Sequence, residues 1–217
     1  MPQPTIRPIQ EEDWATILAL QAEAYYALEP EDQSGLRSKH WLGPTSCLVA
    51  CRGSEVIGYC LAHPWSKEEP ASLYHCYAEP KGHTSLYIHD MVVAPSARGK
   101  GIARSFLTQL EQLACQRQQP EMSLVAVQGA DRYWSKVGFR SRALAKSLRQ
   151  YGEQAVYMWR PVEMGGHVLR NDPSAVADID APPTVTKLIA APAAKPFAAR
   201  GGAKENTMEP IPDLPER

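Results

Sequence analysis

The 217-residue sequence has no excess of one charge, no close CxxC pair and no apolar run approaching the ~20 residues of a membrane span. Twenty-three Lys and Arg against 24 Asp and Glu give a net charge of -1. So even a balance offers no basic footprint for nucleic acid and no polybasic tract for anionic lipid. The amino-terminal Met1-Pro-Gln-Pro-Thr-Ile-Arg-Pro lacks the basic and then apolar regions of a signal peptide, so the expected address is the cytoplasm. The five cysteines, Cys47, Cys51, Cys60, Cys76 and Cys115, form an odd set that suits reduced thiols. His75, Cys76 and His83 match no ligand spacing, so no metal is expected.

What is present begins with 44% hydrophobic residues, enough to bury a core, and the punctuation is that of a mixed α+β domain. Thr5 to Ile9 reads as a strand. Asp13 stands where an N-cap would open a helix with Trp14, Ile17, Leu18 and Leu20 on one face, ending near Tyr25. A shorter helix is expected from Asp32 to His40, then a hairpin of Cys47–Cys51 and Val56–Ala62, then a loop from Ser66 to Gly82. Leu86–Val93 is β-branched and apolar enough for a central strand. Ile102, Phe106, Leu110 and Leu113 recur at helical spacing after it, followed by a strand at Ser123–Val127, a short helix at Ala130–Lys136 and a last strand at Ala155–Trp159. Beyond residue 160 the composition changes. Residues 161–217 hold nine prolines and ten alanines but one aromatic, Phe197, too little to offset the entropy of ordering, so a folded domain at 1–160 and a disordered tail at 161–217 are expected.

The chemistry concentrates at Arg98-Gly-Lys-Gly101, between the central strand and the next helix. Glycine lets backbone approach a ligand closely, and the first amides of the helix that follows are unpaired donors beside a partial positive charge. A phosphate or pyrophosphate suits them, with Arg98, Lys100 and Arg104 adding full charges. The turn is neither GxxxxGK[ST] nor GxGxxG. An ordinary strand-to-helix turn with solvated basic residues remains the alternative on spacing alone.

The longer run Met91-Val-Val-Ala-Pro-Ser-Ala-Arg98-Gly-Lys-Gly101-Ile-Ala103 resembles the [RQ]-x-x-G-x-[GA] hallmark of the GCN5-related N-acetyltransferases, preceded by their fourth strand. Trp134-Ser-Lys-Val-Gly138-Phe139 is similar to their Y-x-x-x-G-F helix ending, and Tyr151-Gly-x-x-Ala155-x-Tyr157-Met158 to a common final hairpin. The resemblance covers about residues 5–160. It implies a mixed, mostly antiparallel sheet with one splayed parallel pair and helices on both faces. It also implies acetyl-CoA as co-substrate, held by Met91, Val92 and Val93 along the pantetheine arm and by Arg98, Gly99, Lys100, Gly101, Ile102, Ala103 and Arg104 around the pyrophosphate.

Acetyl transfer to an amine needs a group that accepts or relays a proton, because an ammonium has no lone pair. His89, on the central strand with the parity of Tyr87, Met91 and Val93, is a candidate base or relay, against the alternative of a structural histidine. Tyr87 and His89 match two histidines of the arylalkylamine acetyltransferases, and His89 and Asp90 match acidic positions of the polyamine acetyltransferases. Asp90 points the other way in a regular strand unless a bulge re-aims it. The tyrosine that often protonates the leaving thiolate is matched by Trp134; Tyr133, the nearest phenol, would point about 100° away on a helix. Tyr25, Tyr26, Trp65 and its neighbour His63, together with Tyr87, are candidates for the acceptor pocket. The expected function is acetyl transfer to a primary amine of a small molecule, with a protein or peptide amine, or acyl-CoA binding without chemistry, as alternatives. Monomer and homodimer both stay open.

Overall fold

A computed structural model describes residues 4–164. The chain divides into Met1–Thr184 and Val185–Arg217, and every described residue lies in the first of these units. The tail expected after residue 160 falls outside the described residues from 165 onward. Its first residues continue the fold: the last strand runs through Pro161, and Val162 is buried with its amide on Pro120 O at 2.9 Å.

Seven strands form one sheet: β1 (Thr5–Pro8), β2 (Leu48–Arg52), β3 (Glu55–Trp65), β4 (Ser85–Val93), β5 (Glu121–Ala126), β6 (Arg140–Ser141) and β7 (Val156–Pro161). Their spatial order is β1-β2-β3-β4-β5-β7-β6, and all neighbours are antiparallel except β4 and β5. The helices are α1 (Trp14–Ala24), α2 (Gln33–Leu42), α3 (Ile102–Gln116) and α4 (Asp131–Lys136). The expected mixed, mostly antiparallel α+β fold is what forms.

Each face of the sheet has its own core. On one, α3 and α4 pack Ile102, Phe106, Leu110, Tyr133 and Trp134 onto Leu86, Ile88 and Met122. On the other, α1 and α2 set Trp14, Ile17, Leu20 and Leu36 against Val49, Tyr59 and Leu61. The buried face of α3 is Ile102, Phe106, Leu107, Leu110 and Ala114, while Leu113, expected there, is only half-buried. Phe106 and Leu110, with no exposed surface, each contribute about 1.5–3 kcal/mol of burial.

Asp13 stands at the N-cap position of α1 as expected, but as the last residue of a 3-10 turn its side chain makes no cap hydrogen bond. Its buried carboxylate accepts from the amide of Gln10 at 2.7 Å and from both Arg7 Nη atoms at 2.6 and 2.8 Å. A charge so buried needs a full partner, and Arg7 supplies one. Asp32 does cap α2, accepting from Gly35 N at 2.7 Å.

Candidate active site

The site is made by two irregularities in β4. The first is a bulge: Leu61 of β3 pairs with Asp90 but Ala62 pairs with Ile88, so His89 is the extra residue. A bulge shifts the alternation of side chains by one. Leu86, Ile88, Met91 and Val93 therefore pack on the α3 side, and Tyr87 and Val92 on the other. The expected common parity of His89 with Met91 and Val93 does not hold, because that parity assumed a regular strand. Instead His89 and Asp90, successive in sequence, open onto the same pocket.

The second irregularity is a splay. β4 and β5 pair only from Leu86 with Met122 to Ile88 with Leu124, although β5 continues to Ala126 and β4 to Val93. From His89 onward the β5-facing edge of β4 is unpaired with its parallel neighbour, and backbone groups there can serve a ligand. Met91, Val92 and Val93 lie on this edge.

At the end of the splay comes the glycine turn. Gly99 and Gly101 both take φ of 73°, in the left-handed region that favours glycine, and Gly101 stands directly before α3. The first helical bond is Ser105 N to Gly101 O at 2.9 Å, so the amides of Ile102, Ala103 and Arg104 stand ahead of the ladder. Nothing lies within 4 Å of where a Cβ on Gly99 would be. The residues fit a pyrophosphate: free amides, a helix N-terminus and open space. Arg98 is partly committed to the fold, its Nε donating to Val93 O at 3.2 Å, while Lys100 Nζ donates to Ser96 O at 3.0 Å. Ile102 and Ala103 bury their side chains and offer only backbone; Arg104 is exposed.

Beside the splay lies a small pocket of about 40 Å³, walled by Gln21 of α1, Tyr25 at its C-cap, Leu28 and Glu31 of the α1–α2 connection, Leu73 of the β3–β4 connection, and His89 and Asp90. Asp90 is buried and accepts hydrogen bonds from the hydroxyls of Tyr25 and Tyr59, the latter at 2.5 Å. Burial pushes its carboxyl above the usual range, and the two phenols oppose that shift. Burial and Asp90 push both phenols well above their ordinary value, which keeps them protonated as donors.

His89 Nε2 lies 2.5 Å from Glu31 Oε1. The other oxygen of Glu31 accepts from Lys39 Nζ at 2.7 Å and from the amide of Tyr74 at 2.8 Å. Burial alone would raise the Glu31 carboxyl, but His89 and Lys39 outweigh it and bring it down to about 2. An ionised carboxylate only accepts, so His89 Nε2 carries a hydrogen towards it and Nδ1 is the ring nitrogen left over. That Nδ1 is buried with no hydrogen-bond partner among the described residues. His63, its ring 6.0 Å from that of His89, is held neutral: burial, with His89 nearby, pushes it down to about 3.

Of the other expected site residues, Trp65 and Tyr87 are fully buried behind the pocket in a cluster with Ala71 and Tyr157. Tyr26 is 67% exposed and is not among the pocket's lining residues. Tyr133 is buried in the α3-side core with its ring edge-on to that of Trp134 at 5.3 Å. Gln128, in the loop after β5, takes φ of 54° and bonds across to Ala24 O at 3.2 Å and Ala27 N at 3.3 Å. Sequence reasoning did not single out Glu31, Lys39, Tyr59 or Leu73. Glu29-Pro-Glu31-Asp32 reads as a solvated acidic run, and Glu31 and Lys39 are eight apart across a helix start. Among the described residues no group of three His, Cys, Asp or Glu could hold a metal ion, and no helix is long and apolar enough to cross a membrane.

The family model for the acetyltransferase (GNAT) family matches residues 14–139. No curated protein is matched by the sequence. Among solved structures, the fold is similar to that of Ard1 from Thermoplasma volcanium, at 20% identity and a TM-score of 0.59 over 75% of this chain and 99% of that one. It is also similar to the ribosomal-protein-S18-alanine N-acetyltransferase of Escherichia coli, at 14% identity and a TM-score of 0.54 over 77% and 99%. A third likeness is to N-acetylglutamate synthase from Neisseria gonorrhoeae, complexed with coenzyme A and N-acetyl-glutamate, at 12% identity and a TM-score of 0.59 over 75% and 36%.

Proposed function

The chain belongs to the GNAT acetyltransferase family, whose members draw on acetyl-CoA, and from that premise we propose that it acetylates the primary amine of a small molecule at the pocket beside the β4–β5 splay. The observation that carries this reading is the bulge at His89, which turns an imidazole and a carboxylate onto one pocket next to the donor's edge of β4.

The residues divide the work. Amides of Gly99 to Arg104 hold the donor's pyrophosphate, and the free edge at Met91 to Val93 holds its arm. Tyr25 and Tyr59 fix Asp90, and Asp90 with Glu31 favours a cationic amine in the pocket. His89 Nδ1 takes the ammonium's proton while Nε2–H stays on Glu31, which stabilises the imidazolium so formed. The neutral amine then attacks the donor's thioester carbonyl directly, the C–N bond forming as the C–S bond breaks, and coenzyme A leaves as the thiolate, which takes up the proton that the acylated nitrogen loses. Alignment of the two substrates supplies much of the acceleration, and no covalent enzyme intermediate is required.

The test is thiol release from acetyl-CoA by the full chain against a panel of primary amines, with His89→Ala beside it. General-base removal is expected to lower turnover by about 100-fold while acetyl-CoA binding, read by calorimetry, is retained. Unchanged turnover in that variant would remove His89 from the mechanism. A second reading, the amino terminus of a polypeptide as acceptor, draws on the likeness to an S18-alanine N-acetyltransferase. Peptides in the same panel decide it, and activity confined to them would replace the small-molecule reading.

A further inference from the structure

We propose that Leu73–His75 form a fixed strap over the acceptor pocket that limits the acceptor to a small primary monoamine with an apolar substituent and excludes an extended polypeptide. The inference rests on the acetyl-transfer reading above and deepens it.

The connection from Trp65 at the end of β3 to Ser85 at the start of β4 is anchored to two other parts of the fold. On the α1–α2 side, the amide of Tyr74 donates to Glu31 at 2.8 Å, its hydroxyl donates to Glu29 O at 2.7 Å, and Lys39 Nζ donates to His75 O at 2.8 Å. On the β6–β7 side, the hydroxyl of Tyr151 donates to Ala71 O, that of Tyr157 to Lys67 O at 3.2 Å, and Lys146 pairs with Glu69 at 3.1 Å. Between these anchors Leu73 turns into the pocket wall.

Tyr74 takes φ of 58°, in the left-handed region that a bulky residue rarely enters. Such a conformation persists only where its surroundings over-determine it, and here the anchors at Glu29, Glu31 and His75 do so. The strap is therefore a built wall rather than a loose loop. Its own anchor, Glu31, is also the partner of His89, so a chain lying across His89 would have to displace the same carboxylate.

The lining fixes the chemistry of what fits. Glu29, Glu31 and Asp90 are the charged lining residues besides His89; Lys39, behind the wall, offsets Glu31, which leaves Glu29 and Asp90 in excess. An ammonium is drawn in, and an acceptor bearing its own carboxylate is repelled. Leu28, Pro30 and Leu73 supply an apolar surface for the substituent.

The experiment compares kcat/KM of the full chain for phenethylamine, for phenylalanine and for a short peptide with amino-terminal phenylalanine. It is repeated in Leu73→Ala/Tyr74→Gly, where glycine accepts the positive φ without strain. The wild type is expected to favour phenethylamine over the peptide by about 100-fold, and the variant to narrow that ratio by about tenfold, with acetyl-CoA affinity retained. A wild type that uses the peptide as well as the amine overturns the proposal, whatever the fate of the variant, and so does a folded variant with an unchanged ratio. Efficient use of phenylalanine overturns the exclusion of carboxylates. Transfer to none of the three, with acetyl-CoA bound, overturns the acetyl-transfer reading and the size limit with it.

Discussion

Replacing Glu31 by Gln tests the centre of the acceptor side. The side chains of Glu31 and Lys39 are 6% and 0% exposed, so the substitution leaves a buried ammonium with no counter-charge, and the amide's single acceptor oxygen can serve Lys39 or His89 Nε2 but not both. Breaking a buried pair by removing one member costs about 3–5 kcal/mol. The carboxyl's displacement from 4.5 to about 2 gives an independent figure of about 3 kcal/mol. The two agree in size. Because the folded-state value lies below the unfolded one, the stabilisation is complete above pH 4.5 and is lost as pH falls through about 2. Urea unfolding of wild type and Glu31→Gln should therefore differ by about 3 kcal/mol at pH 7, with the gap closing in acid. In Glu31→Gln/Lys39→Met much of the loss should return, since apolar residues often replace a buried pair at little cost. A gap below about 1 kcal/mol at pH 7, or one that does not change with pH, would refute the account of Glu31 as an ionised buried clamp.

Gly101→Glu should abolish measurable acetyl-CoA binding by calorimetry, because it forces a side chain onto a φ of 73° and places a carboxylate at the turn proposed to hold the pyrophosphate. Asp90→Asn should lower stability by about 1–3 kcal/mol in urea, since the carboxamide cannot accept from Tyr25 and Tyr59 as a carboxylate does. The acceptor's KM should rise with it, and an unchanged KM would free Asp90 from the acceptor site. Thiol labelling followed by mass spectrometry should find Cys76, which is exposed, modified in the native protein. Cys47, buried and pushed up to about 12 by desolvation, should react only on unfolding.

The glycine turn before α3 was legible because its geometry is local. Gly99, Gly101 and the helix start are neighbours in sequence, and the amides they present depend on backbone conformation that glycine itself selects. Helix α3 was legible for a similar reason, since Phe106 and Leu110 repeat at the spacing that buries one face. The acceptor side was only half legible. His89 and Asp90 stood out as residue types, but their direction depends on a bulge that the pairing of β4 with β3 creates. No signal within β4 fixes it, because an extra residue is defined only against a partner strand.

Glu31, Lys39 and Leu73 were not legible at all. Each belongs to a segment that looks solvated: an acidic run, a helix with basic residues, and a polar loop. They acquire their roles by meeting, when the β3–β4 connection folds over the α1–α2 connection and both close on His89. The sequence by itself thus determined the sheet-and-helix order and the glycine turn before α3, where short-range backbone geometry decides. Tertiary structure alone decided which face His89 and Asp90 share, what holds them and how narrow the pocket is. Those depend on strand register and on charges brought together from segments far apart in the chain.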